Sequence, residues 1–352
     1  MIFDAARVMV PFVVAFVIGI AIAPVITHYL YKHRAWKKKG GKTGMGDANG
    51  TPLFNELHKE REVSTPRMGG IVVWGSVVIT ALLIMILGLF FGEPFASFDF
   101  VNRGQTWLPL VALLGGALVG LIDDILEVTR STGGLSLRYR LLVVAMIGAF
   151  CGWWFYAKLG VSTVGIPFVG ALPLGGFFIL FFVLVTLALY AGGVIDGIDG
   201  LAGGIFAIIF MVYAGIAFAQ MQYSLAAFAA TVSGALFAFL WFNIPPARFY
   251  LSETGSMALT VALAVTAFSA DTLGEGVGVS VLPIIALPLT VTVVTNVIQT
   301  VSKKVFKKKV FRIAPIHHHF EAIGWPAYKV TMRYWVITII AGVFGLAIAL
   351  LK

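Results

Sequence analysis

Charge is what this chain has little of. Asp, Glu, Lys and Arg make up 12% of its 352 residues, while 59% are hydrophobic. Soluble domains carry about 25% charged residues, so a water-exposed surface cannot be built from this composition. Cysteine is all but absent. Cys151 stands alone, which excludes an internal disulfide; inside an apolar run it is expected simply to pack. Segments of about ten residues that alternate apolar and polar, the mark of a transmembrane barrel, do not occur. No internal repeat, soluble domain or low-complexity tail is visible. The first apolar stretch lacks a basic leader and a small-residue cleavage site, so it reads as a span and not as a removed signal.

What is present is a series of long apolar runs, Ile71–Phe91 and Gly175–Tyr190 among them. About 20 apolar residues cross the hydrocarbon core of a bilayer, and backbone groups in lipid must be paired internally, which selects helices. The expected fold is all-α: a polytopic integral membrane protein, one transmembrane domain over 1–352, with ten spans at 8–31, 68–92, 106–122, 138–157, 173–191, 200–220, 224–242, 255–270, 280–301 and 333–351. An even number puts both termini on one side. Of the 25 Lys and Arg residues, only Arg7, Arg103, Lys158 and Lys352 fall on the side of the termini. Positive loops stay in the cytoplasm, so the termini are expected outside. The net charge of +9 is then a matter of topology and anionic headgroups, and the lysines at 303–304 and 307–309 do not indicate nucleic acid. The glycine-rich stretch 40–50 reads as a mobile cytoplasmic loop.

Four cytoplasmic segments hold the chemistry. In GLIDD at 120–124 an apolar span ends in two adjacent carboxylates, Asp123 and Asp124. The bland alternative is a solvated helix terminus, yet acids are poorly placed at a helix C-terminus. In AGGVIDGIDGL at 191–201, Asp196 and Asp199 are wrapped in glycines; this is either a tight turn or a site for a magnesium diphosphate. WFNIPPARFYLSETGS at 241–256 brings Asn243, Arg248, Tyr250 and Glu253. Ser252 or Thr254 could serve only as a helix cap, and Tyr250 only as an interfacial anchor. In APIHHHFE at 314–321, adjacent histidines on a helix point about 100° apart, so His317, His318 and His319 rarely ligate one metal. Imidazoles beside the basic stretch 303–312 suit an anion better. Acids, glycines, histidines and cations at one membrane face point to magnesium-assisted phosphoryl transfer, which is mostly positioning and charge neutralisation.

These motifs resemble those of the bacterial phospho-N-acetylmuramoyl-pentapeptide transferases, a branch of the polyprenyl-phosphate N-acetylhexosamine-1-phosphate transferases. STPRMGGI at 64–71 looks like the family's TPTMGG segment. IDD at 122–124 matches its paired aspartates, DGIDGLAGG at 196–204 its DGLDGLA loop, and WFN at 241–243 with the later TGS its next loop. The triple histidine marks the muramoyl-pentapeptide branch. The resemblance implies transfer of phospho-MurNAc-pentapeptide from UDP to undecaprenyl phosphate, giving lipid I and UMP, with magnesium as cofactor. It implies that Asp123 activates the lipid phosphate and that Asp124, Asp196 and Glu253 hold the metal. Asp199 and Asn243 would line the uridine pocket and Tyr250 would stack on uracil. The three histidines would meet the polar end of the donor, with Thr65 and Arg138 completing the substrate contacts. A bacterial plasma-membrane location and a homodimer are expected on the same ground. The chain departs from the family where Glu253 replaces an aspartate, where Tyr190 and Gly193 replace asparagines, and around Arg61 and Glu62, where lysines are replaced.

Three other readings compete. A sister enzyme using a UDP-N-acetylhexosamine without peptide would be separated by a panel of donors. A transporter shares glycine-interrupted spans, but its site lies near the midplane and its halves show repeat symmetry. A catalytically dead scaffold would release no UMP.

Overall fold

The structure is a computed structural model that describes residues 2–38, 40–41, 62–102, 104–130, 133–272 and 276–351. Most of the glycine-rich stretch at 40–50, together with Glu56, Glu60 and Arg61, lies outside the described residues. The described residues are mostly helical. In order come α1 (Ile2–Lys32), α2 (Gly70–Phe91), α3 (Trp107–Thr129), α4 (Leu137–Lys158), a two-stranded antiparallel hairpin of β1 (Thr163–Ile166) and β2 (Gly170–Pro173), α5 (Phe177–Gly192), α6 (Leu201–Ala219), α7 (Tyr223–Asn243), α8 (Ser252–Thr272), α9 (Leu282–Ile285), α10 (Leu287–Val305), α11 (Ile316–Ala322) and α12 (Ala327–Leu350).

Nine of these helices, α1 to α8 and α12, are long and apolar enough to cross a membrane among the described residues. The remaining expected span, 280–301, is broken into α9 and α10 at Ala286, with Pro283 and Pro288 each opening a new helix. A proline cannot continue the turn before it. The chain must nevertheless return here. The C-terminal end of α8 lies with the β-hairpin, where Asp271 accepts from Gly165 N–H at 3.2 Å. The start of α12 lies at the opposite end, where Thr331 donates to the Asp199 carbonyl at 3.1 Å. Among the described residues ten traverses result, and the first turns of α1, where Arg7 meets Ser97 and Tyr223, and the last turn of α12 lie at the hairpin end. The third span also differs from expectation. It runs on to Thr129, so Asp123 and Asp124 sit inside the helix and not at its end.

Burial orders the bundle. α8 is the least hydropathic of the nine spans and the most buried; α1 is the most hydropathic and the least buried. A lipid-facing helix must be apolar around its circumference, whereas an enclosed one can carry hydroxyls if they are satisfied. On α8 they are: Thr260 donates to the Ser256 carbonyl at 2.7 Å and Thr266 to that of Ala262 at 2.8 Å. The exposed apolar side chains of α1 (Val13, Val17) and α12 (Ile340, Val343, Phe344) form the lipid boundary. Phe182 of α5 stacks on Phe268 of α8 with centroids 4.0 Å apart, with Phe155 of α4 alongside.

Glycine brings α2 and α3 against the start of α8. A Cβ on Gly120 would stand 2.1 Å from the Glu253 carbonyl oxygen, and one on Gly70 2.3 Å from the Gly255 nitrogen. No other residue permits these backbones to touch. The contacts place the end of α3 directly beside the first turn of α8, and there the polar residues gather.

Candidate active site

The buried residues of α3 recur at 109, 112, 113, 116, 117, 120, 123 and 124. Asp123 and Asp124 therefore continue the inward stripe of an amphipathic helix, and both are almost fully buried. Asp124 meets the N-terminus of α8. Its Oδ2 accepts from Ser252 Oγ at 2.5 Å, Thr254 Oγ1 at 2.6 Å and Thr254 N–H at 2.9 Å. Its Oδ1 accepts from Arg67 Nε at 3.1 Å and pairs with the Arg67 NH2 nitrogen at 3.1 Å. Asp196 supplies the neighbouring bond, accepting from Ser252 N–H at 2.7 Å. Two carboxylates from other segments thus satisfy amides at the start of α8, where the helix dipole favours anions. Ser252 and Thr254 donate outward and do not cap their own helix.

Arg67 bridges further, to Glu127 at 2.8 Å, and Lys37 joins Glu127 at 3.1 Å and Glu62 at 3.2 Å. Burial opposes the charge on Arg67, but the Asp124 and Glu127 carboxylates more than offset it, so its pKa lies above the ordinary arginine value and it stays protonated. A second cluster sits beside the first. Arg140 pairs with Glu253 at 2.5 Å and approaches Asp123 at 3.7 Å; Tyr190 donates to Glu253 at 3.2 Å. Leu135 N–H donates to Asp123 Oδ1.

The glycine loop between α5 and α6 packs against the end of α7 and against α11. Asn243, buried, accepts from Gly200 N–H at 2.9 Å and donates to the Phe249 carbonyl at 2.8 Å. Asp199 accepts from Ala247 N–H at 3.1 Å. Gly200 takes a positive φ of 75°, which glycine adopts without strain. Asn243 therefore staples two loops through their backbones. Asn243→Ala is expected to cost about 1–3 kcal/mol for the buried groups left unpaired. Thermal melting of the purified variant checks this, and an unchanged midpoint would refute the staple. His317 and His318 are buried with rings 4.4 Å apart, and His318 Nδ1 lies 2.7 Å from Glu321 Oε2. His319 turns the other way and accepts from Arg312 N–H at 3.2 Å.

Asp123, Asp124, Asp196, Asp199, Asn243, Glu253, His317 and His318 thus converge at one end of the bundle. Thr65 is half-buried in the segment that carries Arg67. Tyr250 is half-buried, and its backbone pairs with that segment, donating to Pro66 and accepting from Gly69, each at 2.8 Å. Arg138 is exposed and takes no part in these contacts. The arginine that enters is Arg140, four residues before the buried Val144 on the inward face of α4, where Gly148 and Phe155 follow. Residues two apart on a helix do not share a face, so that periodicity was the signal favouring Arg140. Arg67 carried a weaker one, a cation between Pro66 and Met68 where the chain enters the next span.

The three carboxylates expected to hold magnesium fit it unequally. Among the described residues no three His, Cys, Asp or Glu side chains are gathered as a metal cluster. Asp124 is fully enclosed and spends both oxygens on Arg67, Ser252 and Thr254. Asp196 is half-buried and the Glu253 side chain is 21% exposed, so solvent reaches both. Magnesium commonly takes one or two carboxylates, with phosphates and water completing the shell. That pair suits an ion arriving with a diphosphate.

Residues 106–271 match the family described as Glycosyl transferase family 4. The chain is 33% identical to the phospho-N-acetylmuramoyl-pentapeptide-transferase of Geobacillus sp. (strain WCH70), over 82% of this chain and 85% of that protein. It is 30% identical to the protein of the same name from Chloroflexus aggregans, over 99% of this chain and 91% of that one. Its identity to the Bacillus cytotoxicus protein of that name is also 30%, over 95% of each.

Proposed function

The chain belongs to the phospho-N-acetylmuramoyl-pentapeptide transferase family, and we propose that it transfers phospho-MurNAc-pentapeptide from UDP-MurNAc-pentapeptide to undecaprenyl phosphate, forming lipid I and releasing UMP. The observation that carries this reading is the end-to-end match to relatives of that name. A phosphate oxygen of the lipid attacks the β-phosphorus of the donor. The bond from that phosphorus to the oxygen bridging the two phosphates breaks, and UMP departs with the electron pair. Direct attack needs no covalent enzyme intermediate, and the protein contributes positioning and charge.

The residues take these parts in the proposal. Asp123, beside Arg140, orients and activates the lipid phosphate. Asp199 and Asn243 border the uridine, with Tyr250 stacking on the base. His317, His318 and His319 reach the muramoyl end of the donor, and Thr65 lies along its diphosphate. Magnesium is part of the proposal: Asp196 and Glu253 would hold it, and it would neutralise charge on the diphosphate. Arg138 is better placed to meet anionic headgroups at the membrane surface.

The site end of the bundle is proposed to face the cytoplasm of a bacterial cell from its plasma membrane, with both termini outside. The support is the charge pattern, since only four of the 25 Lys and Arg residues belong to the terminal side. A homodimer rests on the family resemblance alone.

The test is UMP release by the purified protein from UDP-MurNAc-pentapeptide, undecaprenyl phosphate and magnesium, with UDP-GlcNAc as a parallel donor. Release with the muramoyl donor alone is expected. Release only with UDP-GlcNAc would move the chain to the sister branch, and release from neither by folded protein would leave a scaffold.

A further inference from the structure

The four carboxylates at the end of α3 and the start of α8 are partly neutralised from within the chain, and each pair shares one guanidinium. Arg67 arrives on the segment before α2 and joins Asp124 to Glu127; Arg140 arrives on the first turns of α4 and joins Glu253 to Asp123. The two pairs differ in access. The Glu253 side chain is 21% exposed, whereas Asp124 is 0% exposed and the Arg67 side chain 15%.

Asp124 is closed in a second way. An ionised carboxylate offers about four lone-pair positions. Asp124 receives two Arg67 nitrogens on one oxygen, and on the other two hydroxyls and a backbone N–H. A divalent ion could enter only by expelling Arg67 or by pulling the oxygen from the start of α8. The first leaves a guanidinium facing Glu127 alone. The second leaves the Thr254 N–H, buried at a helix N-terminus, without its acceptor, which costs about as much as a lost buried hydrogen bond.

We infer that Arg67 is the resident counter-cation of the Asp124–Glu127 pair, that it fixes Asp124 as an anchor for the start of α8, and that Asp124 is closed to a divalent ion in this chain. Arg67 is a positioning residue. It acts through Asp124 on the helix turn that presents Glu253, and metal enters only on the Glu253 side. The inference rests on the proposed transferase reading only for the expectation that a metal acts at all.

The experiment uses Mn2+ as the probe and the full chain in detergent, with neither nucleotide nor lipid present. The free-ion paramagnetic resonance signal is read against protein concentration. Arg67→Gln keeps a hydrogen-bond donor for Asp124 but removes the charge, and the two carboxylates then face each other with only Lys37, which Glu127 shares with Glu62, as a cation. It is expected to bind Mn2+ at least ~10-fold more tightly than wild type, a difference of about 1.4 kcal/mol. Adding Asp124→Asn to Arg67→Gln should abolish the gain. Arg67→Lys retains the charge and should stay within about twofold of wild type.

Unchanged affinity in Arg67→Gln overturns the inference, and so does a gain that survives Asp124→Asn. Should Arg67→Gln fail to fold, Arg67→Lys decides: a tenfold tightening there would show that charge is not what excludes the ion. UMP release is measured separately on the same wild-type preparation. A preparation without transferase activity but with the expected Mn2+ behaviour refutes the functional reading and keeps this one; the converse pattern does the reverse.

Discussion

Asp124→Asn is expected to lower stability by about 3–5 kcal/mol, the cost of breaking a buried ion pair from one side, and to bring UMP release below detection. The size follows from geometry. Asparagine offers one acceptor oxygen where the carboxylate offers two, and its NH2 group must point somewhere. Facing Arg67, it sets donor against donor. Facing α8, it deprives the Thr254 N–H and confronts the Ser252 and Thr254 hydroxyls, both within 2.6 Å of Asp124 Oδ2. Either way Arg67, whose side chain is 15% exposed, retains only Glu127 among these partners. The first turn of α8 and the 62–69 segment lose the tie that runs through Asp124 and keep the Met68 N–H bond to Ser252 Oγ and the backbone pairing at Tyr250 and Leu251; Glu253 and Thr65 ride on those two segments. The loss is read as a drop in melting temperature at a fixed scan rate, since unfolding of such a protein is expected to be irreversible. A double-mutant cycle supplies the control. Asp124→Asn with Arg67→Gln should be more stable than Asp124→Asn alone, because the second change removes the stranded charge. A single variant that melts and turns over like wild type would disprove the hub.

Much of the site was legible in the sequence, and its limits have a physical pattern. Residue types and approximate depth could be read, because an acid or histidine at the edge of an apolar run is costly unless something uses it. Asp196, Asp199, His317 and His318 were found that way and do converge, with Asn243 of the 241–256 loop beside them. Helical phase held more than was taken from it. The stripe of α3 runs through Gly116 and Gly120 to Asp123 and Asp124, and that of α4 runs from Arg140 through Val144. Both could be read from spacing alone: the first corrects the expected placement of the aspartates at a helix end, and the second brings Arg140, with Arg138 left exposed, to the carboxylates. Pairing was out of reach. Nothing local in STPRMGGI says that Arg67 will meet Asp124, 57 positions away, or that Asp124 will meet Ser252, 128 positions away. Such partners are set by which helices touch, and here that depends on glycines whose contacts appear only once the chain is folded. The broken span was half legible: Pro283 and Pro288 were visible, but long apolar content outweighed them. The break frees α10 to lead into the 306–315 loop, where Gln299 and Ser302 bind its backbone, and so to deliver α11 to the site.

Gly197→Ala should cut UMP release by about 10²-fold, the scale of a 1 Å misplacement in an active site, while melting changes little. Gly197 lies between Asp196 and Asp199 and does not need a positive φ, so alanine suits its backbone. Space is the obstacle. An added Cβ would stand 2.5 Å from His318 Nε2, 2.9 Å from His318 Cε1 and 3.3 Å from His317 Nε2. One side must yield. The glycine loop is held by Asn243 at Gly200, by Ala247 at the Asp199 side chain and by Thr331 at the Asp199 carbonyl. The histidines ride on α11, a helix of seven residues, too short to be stable without its packing. The ring of His318 cannot simply swing aside, because its Nδ1 is engaged by Glu321 and its face by His317. The whole short helix therefore shifts, and both buried imidazoles leave the positions from which they would meet the donor. Removing the obstructing ring tests the mechanism. His318→Ala lowers activity by itself, but adding Gly197→Ala to it should cost little more, since the atoms the methyl met first are gone. If the two losses multiply in full, the methyl acts through the aspartate loop and not through the histidines. If Gly197→Ala alone turns over like wild type, the close approach of this loop to α11 plays no part in transfer.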